Sequence, residues 1–113
     1  MTAKEILLEQ FNAAYDDNGW FVALKNALAN LSAEDAGWKI PNLENSIREI
    51  LAHLNYYNFG YLERFKGVDY VYPKANNDAT FESSGNEEDW QAEIAEFDRI
   101  MNEWRGLIRS EER

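Results

Sequence analysis

The sequence contains no cysteine. A disulfide scaffold, a thiolate zinc site, CxxC redox chemistry and a cysteine nucleophile are excluded together, since each needs a sulfur that is not there. Long apolar runs are also missing. The longest are only a few residues, against the roughly 20 that cross a bilayer. The opening MTAKEILLEQ carries charge where a secretory signal needs an apolar stretch. No membrane span is expected, and the cytoplasm is the expected location. Basic residues are scarce: 11 Lys and Arg stand against 21 Asp and Glu, for a net charge of -10. With no basic cluster to displace counterions from phosphates, no nucleic-acid partner is expected. GxGxxG, P-loop and GxSxG patterns are absent, which removes the dinucleotide, nucleotide and serine-hydrolase readings.

What is present suits one soluble domain over residues 1–113. The chain is 45% hydrophobic and 14% aromatic with four tryptophans, enough for a core that disordered chains lack. The acids are weighted toward the C-terminal part. Residues 69–113 hold 12 acids and 5 bases, whereas residues 1–68 hold 9 and 6. Either this surface docks a basic partner or it is a solvated helix face with an acidic loop.

The pattern of apolar residues is helical throughout. Thr2 and Glu5 have capping-box spacing, and Ile6, Leu7, Phe11, Ala14 and Tyr15 follow on one side. Asp16, Asp17, Asn18 and Gly19 are poor helix formers, so this first helix is expected to kink or break there. Trp20, Leu24, Leu28 and Leu31 continue as a second segment, Ser32 and Asp35 start a short turn, and Pro41 closes the connection. A second main helix opens on the capping pair Ser46 and Glu49. It carries Ile47, Ile50, Leu51, Leu54, Tyr57, Tyr61 and Phe65 up to a stop at Gly67, and is expected to be buried along most of its length.

Residues 68–86 form a polar connection too rich in Asn, Asp, Ser and Gly for regular structure, with Tyr70, Tyr72 and Phe81 to pack it down. A third helix begins near Asn86, with Glu87, Glu88 and Asp89 at the positive end of its dipole. Its stripe of Trp90, Ile94, Phe97, Met101, Trp104 and Ile108 is the seam of a helix packed nearly antiparallel to its neighbours. The fold class is all-α, an antiparallel helical bundle with three long helices, the first split near residues 16–19.

Candidate chemistry is sparse. His53, the only histidine, lies about 100 degrees from the middle of the apolar stripe at 3.6 residues per turn, flanked by Glu49 and Tyr57. It reads as a half-buried polar residue or as one metal ligand, and Glu49 as its companion donor or as the helix cap. Tyr56, Tyr57, Phe59 and Tyr61, with Trp20, Trp38, Trp90 and Trp104, read as core filling or as an aromatic pocket. Glu93, Glu96 and Glu103 lack the histidines of a carboxylate-bridged site and read as a solvated face.

The stretch NGWFVALKNALANLSAEDAGWKIPNLENSIREILAHLNYYNFGYLERFKG resembles the DinB/YfiT-like superfamily of bacterial four-helix-bundle metalloenzymes. The likeness rests on Ser46-Ile47 opening a helix, Ala52-His53-Leu54, the close at Phe65-Lys66-Gly67, and Trp90 after an acidic opening. It implies a three-histidine site for a divalent metal such as nickel or zinc, with His53 as the first ligand. The other two ligands would form a histidine pair on a final helix, for which this sequence has no counterpart. Family activity is thiol-dependent transfer or isomerisation with low-molecular-weight thiols. Three functions are therefore carried forward. One is a DinB-like bundle, expected to be a homodimer, without a complete metal site. Another is a metal-dependent transferase completed by a second subunit or by further residues. The last is an acidic interaction module.

Overall fold

The structure is a computed structural model that describes residues 2–19, 22–39, 41–42 and 44–111. It is all-α. Five α-helices occur among the described residues: α1 (Ala3–Tyr15), α2 (Leu24–Leu28), α3 (Ala33–Gly37), α4 (Ile47–Phe65) and α5 (Glu87–Ser110). A short 3-10 helix, Asp78–Phe81, lies in the connection before α5. The chain divides into two compact units, Met1–Asn30 with Met101–Arg113, and Leu31–Ile100.

In the first unit, α1 starts where expected, with the Thr2 hydroxyl accepting the Glu5 N–H at 3.1 Å. It stops at Tyr15, so the helix is split as the run of poor helix formers predicts. The break is held by Asn18, whose Oδ1 accepts both the Ala23 N–H (2.8 Å) and Asn26 Nδ2 (3.0 Å). The second segment is shorter than its apolar spacing suggested and is helical only over Leu24–Leu28. Trp20 lies outside the described residues. Tyr15 is fully buried, with the Arg105 guanidinium 5.0 Å from its ring centre. Arg105 also grips Asp16 through two 2.9 Å bonds.

In the second unit the helix starts follow one local logic. Ser32 with Asp35 and Ser46 with Glu49 each form a complete capping box, side chain to backbone in both directions. Asn86 and Asp89 exchange the same pair of bonds at the start of α5. Helix α4 ends in a Schellman motif, with Val68 N–H on Glu63 O and Gly67 N–H on Arg64 O. Gly67 takes the left-handed conformation this requires (φ 90). The core contains Leu51, Leu62, Trp90, Phe97 and Ile100. Trp90 satisfies its buried indole N–H on Leu31 O at 2.8 Å.

Arg48 fastens the connection to α4. It is 4% exposed, donates to Ser83 Oγ, Ser84 O and Gly85 O, and lies 5.9 Å from the Trp90 ring centre. A guanidinium has enough donors in a fixed fork to hold three acceptors at once.

Two expectations about packing change here. Helix α4 is buried on Arg48, Leu51, Asn55, Gly60 and Leu62, whereas Ile50 is 46% and Tyr61 53% exposed, with Ile47 and Phe65 similarly open. The buried row is offset from the apolar stripe because Arg48 and Asn55 spend their polar groups on the connection and on α5. The seam on α5 also suggested antiparallel neighbours, which holds for α1, where Asn12 meets Arg105 and Tyr15 meets Asn102, but not for α4. Arg48 instead meets Trp90, Asn55 meets Glu93, and Phe59 meets Arg99. Residue numbers rise together, so α4 and α5 run in the same sense over this stretch. The connection over residues 66–86 is long enough to carry the chain back for a parallel start, which a short turn could not do.

Candidate functional site

His53 sits on α4 facing the 3-10 helix. Its Nδ1 lies 2.7 Å from Thr80 Oγ1, and Thr80 is 2% exposed. The Thr80 hydroxyl donates its one proton to Asn77 O at 2.6 Å. It can therefore only accept from the imidazole, which places a proton on His53 Nδ1. In the neutral ring, Nε2 is then left with its lone pair.

Two rings fix the imidazole's plane. Phe81 stacks flat on it, 4.0 Å between centres at 6°, and Tyr57 meets it edge-on at 4.9 Å. Tyr57 is held in turn by its hydroxyl bond to Asn77 Oδ1 at 3.1 Å. Nε2 makes no hydrogen bond among the described residues. His53, Tyr57, Asn58, Tyr61 and Asn77 line an open groove of about 340 Å3.

Glu49, the candidate companion of His53, accepts the Ser46 N–H at 2.8 Å and pairs with Lys39 at 3.1 Å. Its carboxyl is held below the usual range: desolvation opposes this, but the hydrogen bonds from Ser46 and Lys39 outweigh it. Glu49 is thus the cap and not a partner of the imidazole. Among the described residues no group of three His, Cys, Asp or Glu side chains is placed to hold a metal ion. Around His53 the neighbours are a hydroxyl, amides and rings, which is not the donor set of a divalent-metal site.

The aromatic residues divide differently from the core-filling expectation. Trp90 is core, Trp38 is 65% exposed, and Tyr56, Tyr57, Tyr70 and Tyr72 form a continuous cluster of ring contacts 5.2–5.4 Å apart between α4 and the connection. Tyr72 lies on α4 at Gly60, where any Cβ would overlap its ring. Burial pushes the Tyr70 and Tyr72 phenols above their ordinary value. The glutamates of α5 also differ from a solvated face. Glu93 and Glu96 are half-buried and line a second cavity of about 290 Å3 with Asn55, Tyr56, Phe59 and Tyr70. Burial holds the Glu93 carboxyl above its ordinary value.

Sequence reasoning missed Thr80, Phe81 as a stacking partner, and Arg48. Thr80 and Phe81 sit in a connection whose 3-10 turn no periodicity announces, 27 and 28 residues after His53.

An all-α chain with a capped central helix, a folded-down connection and one pinned histidine belongs to the helical-bundle class. The family model described as the DinB superfamily matches residues 7–113, and the chain is a member of the DinB superfamily. No curated protein and no solved structure matches it. No helix among the described residues is long and apolar enough to cross a membrane.

Proposed function

We propose that this DinB-superfamily chain is a cytoplasmic small-molecule-binding protein whose recognition atom is His53 Nε2. The observation behind this reading is the Thr80 hydroxyl between Nδ1 and Asn77 O, which orients the ring and leaves Nε2 as an acceptor on a residue that lines the groove. A ligand offering a hydrogen-bond donor or an electrophilic atom meets a lone pair already aimed, with Tyr57 and Tyr61 as walls. On this reading the chain closes no metal site of its own.

A second reading is favoured by the same hydroxyl. A ligating imidazole is characteristically oriented by a hydrogen bond from its other nitrogen. The chain would then contribute His53 to a divalent-metal centre for thiol-dependent transfer, with the remaining donors supplied by the other subunit of a homodimer. Elemental analysis for nickel and zinc on the purified protein, run with sedimentation equilibrium, separates the two. Less than about a tenth of an equivalent per chain supports the first reading. About one equivalent, held only by a dimer and lost in His53→Ala, establishes the second and overturns the first.

The acidic interaction module has less to support it. Glu87 accepts the Ala33 N–H and Gln91 Nε2, Asp89 caps α5, and Glu96 pairs with Arg99 at 2.6 Å. These carboxylates serve the chain's own structure.

A further inference from the structure

Helix α4 buries a row that includes Arg48 and Asn55, and the row it leaves open is apolar. Ile47, Ile50, Tyr61 and Phe65 are exposed, and Leu54 and Tyr57 are half-buried. At 3.6 residues per turn these six fall on one stripe of the helix, and its two carboxylates, Glu49 and Glu63, lie more than about 120 degrees round from the middle of that stripe. The chain carries a net charge of -10. Two copies of it repel over most of their surface, so a helix stripe free of carboxylates is where they can meet.

The spacing of the stripe says which partner suits it. The positions 47, 50, 54, 57, 61 and 65 advance by threes and fours, the seam of two long helices packed side by side. They also read nearly the same from either end. A second α4 laid antiparallel, about a two-fold axis between Leu54 and Tyr57, sets Ile50 against the second copy's Tyr61, Leu54 against its Tyr57, and Ile47 against its Phe65. A face that pairs with itself in this way is the requirement of a two-fold dimer.

We propose that the open stripe of α4 is the contact between two copies of this chain, packed antiparallel in that register. The two-fold axis falls at the groove lined by His53, Leu54, Tyr57, Asn58, Tyr61 and Asn77, so the second copy supplies its far wall with its own Leu54 and Tyr57. Tyr61 and Phe65 have about half their surface open. With 150–250 Å2 available for a ring of this kind, the stripe offers on the order of 400–500 Å2 a copy, the size of a weak, reversible interface. The contact needs no metal and stands whichever reading of His53 holds.

The test is sedimentation equilibrium of the whole chain in buffer with EDTA, which excludes a dimer held by metal. The mass is expected to rise with concentration from 13.2 kDa toward twice that value, with a dissociation constant on the order of 10–100 μM. Tyr61→Glu and Ile50→Lys, both at exposed positions, should each weaken association at least about tenfold with the helical circular-dichroism spectrum unchanged. Since the chain has no cysteine, Ile50→Cys combined with Tyr61→Cys reports the register. These positions are about 16 Å apart along one helix, too far to bridge within a chain, so mild oxidation should link two copies in the double variant and leave either single variant largely unlinked. A monomer at every concentration up to about 500 μM would overturn the proposal and leave the stripe to a different protein. Association that neither charged variant weakens, or single-cysteine variants that link as readily as the double, would overturn it equally.

Discussion

Thr80 donates to Asn77 O and accepts from His53 Nδ1, so one buried hydroxyl ties the connection to the central helix and sets the proton position on the chain's only histidine. Replacing it with an isosteric methyl removes both bonds, taking a partner from the half-buried His53 and from the exposed Asn77. Thr80→Val is therefore expected to lose about 1–2 kcal/mol in urea denaturation. Thr80→Ser, which retains the hydroxyl, should lose less. Equal losses for the two variants would mean that the methyl, not the hydroxyl, matters at this position.

Arg48 makes a different prediction because three acceptors depend on it. Arg48→Met keeps the stem over Trp90 but abandons Ser83 Oγ, Ser84 O and Gly85 O. A loss of about 2–4 kcal/mol is expected. Arg48→Lys should recover little of it, because a single ammonium cannot span the fork. Hydrogen exchange at residues 83–85 would report the unlatching directly.

Gly60 is a case where local preference and packing disagree. Alanine in a helix interior is favoured over glycine by about 1 kcal/mol, yet a Cβ at this position overlaps the Tyr72 ring. Gly60→Ala is expected to be net destabilising by about 1–3 kcal/mol. Adding Tyr72→Ala should make the alanine favourable, a coupling that a double-mutant cycle measures.

The Arg105 contact with Asp16 sets part of the acid limb of stability. Arg105 hydrogen bonds hold the Asp16 carboxyl below its ordinary value. A carboxyl depressed in the folded state contributes stability above its unfolded value, near 3.9, and that contribution is lost as pH falls through the folded value. Asp16→Asn should therefore lower stability at pH 7, and the gap from the parent should narrow as pH falls below about 4. A gap that stays constant across that range would show that the pair is not ionic in its effect.

The helix starts were legible in the sequence because capping is local. Ser46 with Glu49 and Asn86 with the acids after it are written within four residues of each other, as is the break after Tyr15. The offset of the buried row on α4 was not legible. Ile47, Ile50, Tyr61 and Phe65 look like core by spacing, and only the distant partners of Arg48 and Asn55 turn the helix away from them. The same-sense packing of α4 and α5 was hidden too, since a four-and-three seam suits either direction. His53 could be singled out because it has no rival, but its chemistry depends on Thr80 and Phe81. These lie in a connection where composition says only that regular structure is disfavoured.

The central claim is that His53 offers Nε2 as a lone-pair donor because Nδ1 carries the proton. Long-range 1H–15N correlation of the imidazole, on the purified chain at a pH where the ring is neutral, measures this directly. The account predicts a protonated, pyrrole-type Nδ1 and an unprotonated, pyridine-type Nε2, with the preference lost in Thr80→Val. A ring with its proton on Nε2 in the parent chain would contradict it.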